Sequence, residues 1–281
     1  MKSPITYYGA KGTLAPIIAQ YMPFQMDRYI ETFFGSGGVF FHSPRWSEVE
    51  IINDLNGDVV NFFRVLRDKP KRLIEALQLT PHARREQKEA AQIMASSKSD
   101  VTRALYFFVR INQSFNGVRG WNLPHSKKSE CQEWLNKCDP DRLYWISKRL
   151  LRASFENKPA LELMDQHNKK GSFFYHDPPY MSVNSEKDRK SAYRNIDMLE
   201  EDHKEFIKAC LNSSKSMHIV SGYDHPLYDE LTGNGWRKIQ IPYKAKSLNH
   251  NQMKHKNVID PARVEILWVS PNIQFTQNPL F

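Results

Sequence analysis

Short apolar runs alternate with amphipathic segments along the first quarter of the chain. Arg28–Phe41 has the pattern of a strand, a glycine turn and a helix, and Val49–Asn56 supplies the next strand. Asp58–Arg67 carries apolar residues at helical spacing, and Leu14–Tyr21 fits a shorter helix. Strands that alternate with helices in this way predict βαβ units built around a parallel sheet.

The stretch 68–155 breaks this alternation. It contains helix-like segments, of which KRLIEALQ and REQKEAAQIMA are the clearest, and then the polar segment RINQSFNGVRGWN. Strand-like runs return only at Ser172. The pattern therefore predicts one domain formed by residues 1–67 and 156–281, with residues 68–155 inserted as a mainly helical subdomain.

The rest of the chain predicts a sheet that is closed by antiparallel strands. Leu199–Leu211 fits an amphipathic helix, and the segment MHIVSGYD at 217–224 fits a strand. RKIQIPY and RVEILWVS, near the end, read as two further strands on either side of a polar, basic loop. We expect an α/β fold whose mixed sheet ends in a β-hairpin.

The segment Ser172–Ser182, SFFYHDPPYMS, ends an apolar run with an acid, two prolines and a tyrosine. Proline cannot donate to a sheet ladder and disfavours helix in the residue before it, so the strand must stop at Asp177. In open α/β sheets, ligands bind at the carboxyl ends of strands. Asp177 and Tyr180 are therefore candidate site residues, although an ordinary Pro-Pro turn explains the segment equally well.

A glycine-containing loop after the first strand is a second candidate. Gly35 and Gly37 would allow backbone amides to approach a ligand, but the spacing FxGxG is shorter than the dinucleotide fingerprint GxGxxG. Asp54 ends the next strand, where an acid in a βαβ unit commonly accepts hydrogen bonds from ribose hydroxyls. Its alternative role is to cap the following helix, a role that Asn56 could also fill.

Charge narrows the class of partner. The 281 residues include 40 Lys and Arg against 31 Asp and Glu, a formal net charge of +9, which favours a polyanion. Arg237–Arg263 is strongly basic and interspersed with asparagine and glutamine, without an apolar face. That composition fits phosphates and bases better than it fits a membrane surface.

Composition also limits the location and the metal chemistry. No run is long enough to span a bilayer, and the N-terminus lacks the apolar stretch of a signal peptide, so we expect a cytoplasmic protein. Cys131, Cys138 and Cys210 form no CxxC pair, which argues against a disulfide framework and a zinc site. His176 precedes Asp177, but we assign it a structural or solvent-facing role and expect no metal.

Six motifs occur in an order that resembles a known family. YYGAKG, ETFFGSGGVFF, NDLNGDVVNFFRVLR, RINQSFNGVRGWN, FFYHDPPY and VEILWVS together resemble the Dam-like adenine-N6 DNA methyltransferases. The resemblance covers nearly the whole chain. It implies a Rossmann-like methyltransferase fold, S-adenosyl-L-methionine as cofactor, double-stranded DNA as partner, and a target-recognition role for residues 68–155.

Site residues follow from the resemblance by position. The implied catalytic residues are Asp177, Pro178, Pro179 and Tyr180. The implied cofactor-binding residues are Tyr7, Lys11, Phe34, Gly35, Ser36, Gly37, Asp54, Phe155 and Asp177. For DNA we favour Asn112, Ser114, Asn116, Arg119, Trp121, Asn122, Tyr193, Lys244, Lys246 and Lys254, with Trp121 alternatively a residue of a small core. Thr6 stands where the family often has a DNA-contacting lysine, so the resemblance does not fix a GATC target.

The expected reaction is methylation of N6 of an adenine that has been flipped out of the duplex. The alternatives are methylation of another planar amine, such as cytosine N4 or an RNA adenine, a DNA-binding module with a decayed pocket, and a nicotinamide dehydrogenase. The last lacks the GxGxxG spacing. The sequence leaves open a cognate restriction endonuclease as partner, and it is compatible with a monomer or weak dimer.

Overall fold

A computed structural model describes residues 2–7, 9–115, 119–121, 130–180, 198–242 and 264–274. The strands are β1 (Arg28–Glu31), β2 (Val49–Asn53), β3 (Ser114–Phe115), β4 (Arg119–Trp121), β5 (Ala153–Glu156), β6 (Ser172–His176), β7 (Met217–Tyr223), β8 (Arg237–Pro242) and β9 (Val264–Val269). The helices are α1 (Ala15–Gln20), α2 (Gly57–Asp68), α3 (Pro70–Gln78), α4 (Arg84–Ser96), α5 (Asp100–Asn112), α6 (Glu130–Lys137), α7 (Pro140–Leu150), α8 (Ala160–His167), α9 (Glu200–Asn212) and α10 (Asp229–Gly233).

Seven strands form one mixed sheet in the order β5-β2-β1-β6-β7-β9-β8. The first five of these run parallel to one another, whereas β9 pairs antiparallel with both β7 and β8. The short strands β3 and β4 form a separate antiparallel pair. The predicted α/β fold, with a mixed sheet and an antiparallel pair of terminal strands, is confirmed.

Both faces of the sheet are covered, so its central strand is buried along its whole length. All five residues of β6 are buried. Phe173 and Tyr175 point into a cluster that also contains α1, α2 and α5, whereas Phe174 points into a second cluster with α8 and α9. Side chains alternate between the two faces of a strand, so a continuous apolar run requires a hydrophobic layer on each side.

The helices α3 to α7 lie between α2 and β5 along the chain. Of these helices, α3, α5 and α7 pack on α2, and α4 packs on α5. Their buried apolar residues and Trp134 of α6 belong to the same hydrophobic cluster as one face of the sheet. The stretch is mainly helical, with β3 and β4 as its strands in the part that the structure describes. Its division from the remainder as a target-recognition subdomain stays a proposal.

A buried ion pair connects this helical stretch to the sheet. The Arg149 guanidinium of α7 donates to both carboxylate oxygens of Glu50 in β2, over 2.6 and 2.7 Å. The two side chains are only 4% and 1% exposed. The same guanidinium lies 3.7 Å from the centre of the Phe40 ring, so α7 is fixed to the sheet by a bidentate bond and a cation–π contact.

The segment after the glycine loop differs from the sequence-based expectation of a helix. Only a 3-10 turn forms, at Phe40–His42. Pro44 follows closely, and a residue before proline is forced towards extended backbone, as Ser43 is, with φ −106° and ψ 146°. The segment therefore has too few residues to complete an α-helix. None of the helices in the described ranges has the length and apolar character needed to cross a bilayer.

Candidate active site

The carboxyl ends of β1, β2, β6 and β7 meet at one edge of the sheet, where Asp177 follows β6. The Lys11 ammonium lies 2.8 Å from Asp177 Oδ1 and 3.0 Å from Oδ2, and it also donates to the Gly9 carbonyl over 2.9 Å. The Lys11 side chain is 6% exposed, against 20% for Asp177. Burial alone would lower the pKa of Lys11, but the carboxylates of Asp177 and Glu265 outweigh it and raise that pKa.

Asp177 is further held from β7. The Ser221 hydroxyl donates to Asp177 Oδ1 over 3.1 Å, and the Tyr175 hydroxyl lies 2.9 Å from Ser221 Oγ. Burial, followed by the charge of Asp177, raises the pKa of Tyr175 well above its usual value, so this phenol stays protonated. The carboxylate thus has a fixed orientation, with bonds from two sides.

Tyr180 lies beside this carboxylate. The Lys11 ammonium is 4.6 Å from the centre of the Tyr180 ring, and the ring of Tyr223 meets it edge-on at 4.5 Å. The Tyr180 hydroxyl donates to Glu265, a carboxylate of β9. A lysine, two carboxylates and an aromatic ring therefore converge at one edge of the sheet.

The glycine loop lies next to this group of residues. Asp54 Oδ2 accepts from the Gly35 amide over 2.7 Å, and Oδ1 accepts from the Asn56 amide over 2.8 Å. Burial raises the pKa of Asp54 to about 6, although the two amide bonds act in the opposite direction. The Asn56 side chain accepts from the Asp58 amide and caps α2, so the helix does not require Asp54 as its cap.

Aromatic rings enclose the loop on both sides. A methyl group on Gly35 would lie 3.2 Å from the Tyr7 ring, and one on Gly37, which has φ +69°, would overlap the Phe34 ring at 2.4 Å. Phe34 itself is buried against Phe40 and Phe63, with ring centres 5.6 and 4.9 Å away. The Phe34 ring therefore packs into the core beneath the loop.

Glu31, at the end of β1, was not among the sequence-based candidates. It is 2% exposed, and within the described part of the chain its Oε2 has no hydrogen-bond partner. Burial raises the pKa of Glu31 well above its usual range, and the negative charge of Asp177 adds to this effect. A buried carboxylate oxygen without a partner is costly, and a bound cationic or N–H group would satisfy it.

Of the other predicted cofactor residues, Ser36 lies in the loop and Phe155 lies on a strand of the sheet. The Ser36 carbonyl accepts from the Ser3 hydroxyl over 2.6 Å. Phe155 belongs to β5 and pairs with Ile52 of β2, and the Arg67 guanidinium lies 4.5 Å from the centre of its ring. Asp54 follows β2 directly, so Phe155 and Asp54 lie at the ends of neighbouring strands.

The predicted DNA-contacting residues are only partly described. Asn112 and Ser114 are each 8% exposed: Asn112 Oδ1 accepts from the Thr6 amide, and the Ser114 hydroxyl bonds to the Arg110 carbonyl and to Gln87. Both side chains are nearly buried, and within the described residues Asn112 Nδ2 has no hydrogen-bond partner, so their contact with bases stays a proposal. They shape the region where β3 begins.

Trp121 is half-buried, with its ring centre 4.6 Å from that of His82. That contact agrees with its alternative role in a small core. Arg119 is described only as a backbone position of β4. The remaining candidates for DNA contact lie outside the described residues: Asn116, Asn122, Tyr193, Lys244, Lys246 and Lys254.

His176 is fully buried, which excludes the solvent-facing alternative. His218 Nε2 lies 2.8 Å from Ser216 Oγ and 3.2 Å from the Ser213 carbonyl, which can only accept, so we assign the proton to Nε2. His218 Nδ1 then accepts from His176 Nε2 over 3.0 Å, and His176 Nδ1 accepts from the Thr32 hydroxyl over 2.8 Å. The chain of bonds ties β1, β6 and β7 together on the face away from Asp177.

Cys210 lies near these imidazoles, and potential ligand atoms of the three residues are within 4.8 Å of one another. The two imidazole planes differ by only 7°, and their facing nitrogens bond to each other. This geometry directs the lone pair of one ring at the other ring rather than at a shared centre. Burial lowers the pKa of His176 well below its usual value and that of His218 to about 4, so both rings are neutral.

Sequence reasoning therefore found Lys11, Asp54, Asp177 and Tyr180, and the structure brings Lys11, Asp177 and Tyr180 into direct contact. Sequence reasoning missed Glu31, Ser221 and Glu265. These three residues complete the polar shell of the candidate site, which is the set of polar side chains around Asp177 and Tyr180. Only the charge of Glu265 within the apolar run VEILWV gave a local signal, because a carboxylate in a buried strand requires a partner.

A family model and two similar proteins all indicate the same class of enzyme, the methyltransferases. The family model described as D12 class N6 adenine-specific DNA methyltransferase matches residues 7–250. The chain is 28% identical over 243 residues to Type II methyltransferase M1.LlaDCHI of Lactococcus lactis subsp. cremoris, which covers 79% of this chain and 81% of that relative. It is 24% identical over 193 residues to Type II methyltransferase M.CviBI of Paramecium bursaria Chlorella virus NC1A, covering 65% and 70%.

Two solved structures show a more distant similarity. Precorrin 8W decarboxylase of Methanobacterium thermoautotrophicum aligns with a TM-score of 0.38 at 9% identity, covering 96% of each chain. A conserved hypothetical protein of Streptococcus pyogenes aligns with a TM-score of 0.34 at 11% identity, covering 94% of this chain and 97% of that one. At these TM-scores neither supports an argument about function.

Proposed function

The chain belongs to the D12 class of N6 adenine-specific DNA methyltransferases, and from that premise we propose that the methyl group is transferred beside Asp177, to an adenine that has left the duplex. The observation that carries this proposal is the position of the partly exposed Asp177 carboxylate next to the Tyr180 ring, at the carboxyl ends of the strands. Membership of this family removes the nicotinamide dehydrogenase alternative.

S-adenosyl-L-methionine supplies a methyl group on a positively charged sulfur. Its methionine part carries an ammonium group, which fits the buried Glu31 oxygen near the glycine loop that has no hydrogen-bond partner among the described residues. Asp54 holds two backbone amides, and a carboxylate has about four lone-pair sites, so it can also accept from the ribose hydroxyls. We assign Tyr7, Lys11 and the loop 34–37 to the walls of this pocket, with Phe34 as support from below.

In this proposal, Asp177 and the Pro178 carbonyl accept the two hydrogens of an adenine amino group. The amino nitrogen of adenine is a weak nucleophile because its lone pair is delocalised into the ring. Acceptors that hold both hydrogens favour a pyramidal nitrogen and localise this lone pair. Because positive charge develops on the nitrogen as it attacks, these fixed acceptors stabilise the transition state more than the ground state. Tyr180 stacks on the base, a contact worth roughly 1–3 kcal/mol.

Duplex DNA must be deformed to present the base. An adenine inside the helix cannot reach a pocket at the edge of a sheet, so it must rotate out of the stack. The net charge of +9 favours binding to phosphates. We propose that residues 68–155 read the target sequence, and that a restriction endonuclease with the same target is a partner, as the Type II names of the relatives suggest.

Replacing Asp177 with asparagine tests the chemistry. The amide keeps the shape but loses the charge and one acceptor, so we expect methylation to fall by about 10²–10³-fold while nonspecific DNA binding is retained. The protein is incubated with S-adenosylmethionine and unmethylated genomic DNA, and N6-methyladenine is mapped by single-molecule sequencing. Asp165→Asn, at an exposed acid of α8, is the matched control.

Two results would contradict this assignment. If Asp177→Asn methylates at the wild-type rate, the carboxylate has no role in the reaction. If the variant loses DNA binding and thermal stability along with activity, the residue supports the fold instead. Wild-type protein that binds DNA but neither methylates it nor binds labelled S-adenosylmethionine would support the alternative of a decayed pocket.

A further inference from the structure

Glu265 is a buried carboxylate in an apolar strand. It lies in β9 opposite Tyr223 of β7 and Ile241 of β8, and it is 4% exposed. The residues that follow it in β9 are buried and apolar apart from the polar nitrogen of Trp268. Burying a charge without compensation is costly, so the contacts of this carboxylate must account for its presence.

Its first contact holds an aromatic ring. The Tyr180 hydroxyl donates to Glu265 Oε1. The ring of Tyr223 also packs edge-on against the Tyr180 ring, with 4.5 Å between the two ring centres. A tyrosine held at its hydroxyl and along its edge cannot swing about its side-chain bonds. Glu265 therefore fixes the face that Tyr180 presents beside Asp177.

Its second contact is with Lys11. The ammonium lies 3.7 Å from Glu265 Oε1, compared with 2.8 and 3.0 Å from the oxygens of Asp177. A movement of roughly 1 Å would therefore bring Lys11 into a charge-assisted hydrogen bond with Glu265. The lysine has two carboxylates within reach and is bonded to the one that the proposed reaction requires.

Lys11 also occupies the position that a substrate amine would take. Its nitrogen bonds both oxygens of Asp177 and lies 4.6 Å from the centre of the Tyr180 ring. An adenine amino group that donates to Asp177 while its ring stacks on Tyr180 needs the same acceptor and the same space. The lysine must therefore release Asp177 when the base enters.

We propose that Glu265 is a positioning residue of the active site: it holds the Tyr180 ring in place and accepts the Lys11 ammonium when Asp177 turns to the adenine. This inference rests on the proposed function. No covalent step is involved, because one charge-assisted hydrogen bond replaces another. The exchange keeps the Lys11 charge buried and paired throughout.

Protonation of Glu265 is linked to this exchange. Burial, followed by the charge of Asp177, raises the pKa of Glu265 to about 7, although Lys11 acts in the opposite direction. The charged or titratable groups that face it are Lys11 from the N-terminal turn, Tyr175, Asp177 and Tyr180 from β6 and the segment after it, and Tyr223 from β7. Approach of Lys11 favours the ionised form, so exchange becomes easier as the pH rises through about 7.

The experiment compares five variants, one of which is the double variant Glu265→Ala with Tyr180→Phe. Methylation is measured on a duplex that carries the target adenine, and base flipping is measured on the same duplex with 2-aminopurine at that position. Glu265→Gln keeps an acceptor for Tyr180 but cannot ionise, so we expect kcat to fall about tenfold, with little change in KM for DNA and loss of the pH-dependent rise near neutrality. Glu265→Ala and Tyr180→Phe each break the hydroxyl bond, and we expect their combined effect to be no larger than that of Glu265→Ala alone. Glu230→Gln, at an exposed acid of α10, is the matched control.

A readout that does not depend on turnover separates positioning from folding. Stacking on a fixed Tyr180 should quench the fluorescence of the flipped 2-aminopurine in the wild type and in Glu265→Gln, but less in Glu265→Ala. A wild-type rate and pH profile in Glu265→Gln would overturn the proposal, as would fully additive losses in the double variant. If the wild type itself does not methylate adenine, the proposed function fails before Glu265 is tested.

Discussion

The glycine loop after β1 closely contacts the turn that contains Lys11 and Gly12. Two glycine substitutions with opposite expected effects on stability test this contact. A methyl group on Gly38 would lie 2.7 Å from the Gly12 nitrogen, 3.1 Å from the Lys11 carbonyl carbon and 3.2 Å from the Gly12 Cα. All three are backbone atoms, which cannot rotate away as the end of a side chain can. A methyl group on Gly12, in contrast, meets nothing within 4 Å.

The expected magnitudes follow from these distances. Ordinary contacts begin near 3.4 Å, so Gly38→Ala must separate the two backbone segments by roughly 0.7 Å. Overpacking of this kind costs typically about 1–3 kcal/mol of unfolding free energy. Gly12→Ala adds no clash and reduces the freedom of the unfolded chain, so it should be neutral or stabilising by about 0.4–1 kcal/mol.

The separation also moves Lys11 away from Asp177, which widens the proposed cofactor pocket. We expect Gly38→Ala to weaken binding of S-adenosylmethionine by about tenfold, which corresponds to about 1.4 kcal/mol, while Gly12→Ala leaves it unchanged. Urea denaturation measures the stability and isothermal titration calorimetry measures the binding. If both variants have the same stability and affinity as the wild type, the loop and the turn do not touch as described.

Two further substitutions test the buried polar groups. Arg149→Met leaves the Glu50 carboxylate buried without its cationic partner, so the free energy of unfolding measured by urea denaturation should fall by about 3–5 kcal/mol. Adding Glu50→Gln should recover part of this loss. A loss below about 1 kcal/mol, as for an exposed ion pair, would refute the reasoning. The pKa of His218 is about 4 in the fold, so only the unfolded state binds its proton between about pH 6.5 and 4, and stability falls on acidification. His218→Asn should therefore reduce the slope of unfolding free energy against pH by up to about 1.4 kcal/mol per pH unit. His42→Asn, at an exposed histidine, is the control. An unchanged slope in His218→Asn would contradict the assignment.

Local signals in the sequence predicted much of the architecture. Apolar runs of strand length, helical spacing between Asp58 and Arg67, and glycines after the first strand each express a backbone preference over a few residues. The prolines after Asp177 end a strand for a purely local reason. The helix predicted after the glycine loop was wrong, and the cause is also a local effect of proline. The restriction that Pro44 imposes on the backbone of Ser43 outweighs the helical pattern before it.

The polar shell of the candidate site depended on the order of the strands. Lys11 and Asp177 are 166 positions apart, and Tyr180 and Glu265 are 85 apart. These pairs meet because β9 inserts between β7 and β8 and because the N-terminal turn docks on the glycine loop. Periodicity reports which face of a strand is buried but not which strand lies beside it.

The sequence by itself therefore determined several of the strands and helices, the family, and the positions of Asp54, Asp177 and Tyr180 at or after strand ends. Only the tertiary structure decided that Lys11 bonds Asp177 and that Glu265 anchors Tyr180. It also decided that Glu31 is buried with one oxygen that has no partner in the described ranges. The physical reason is that backbone preferences act over a few residues, whereas the partner of a buried charge is chosen by the packing of distant segments.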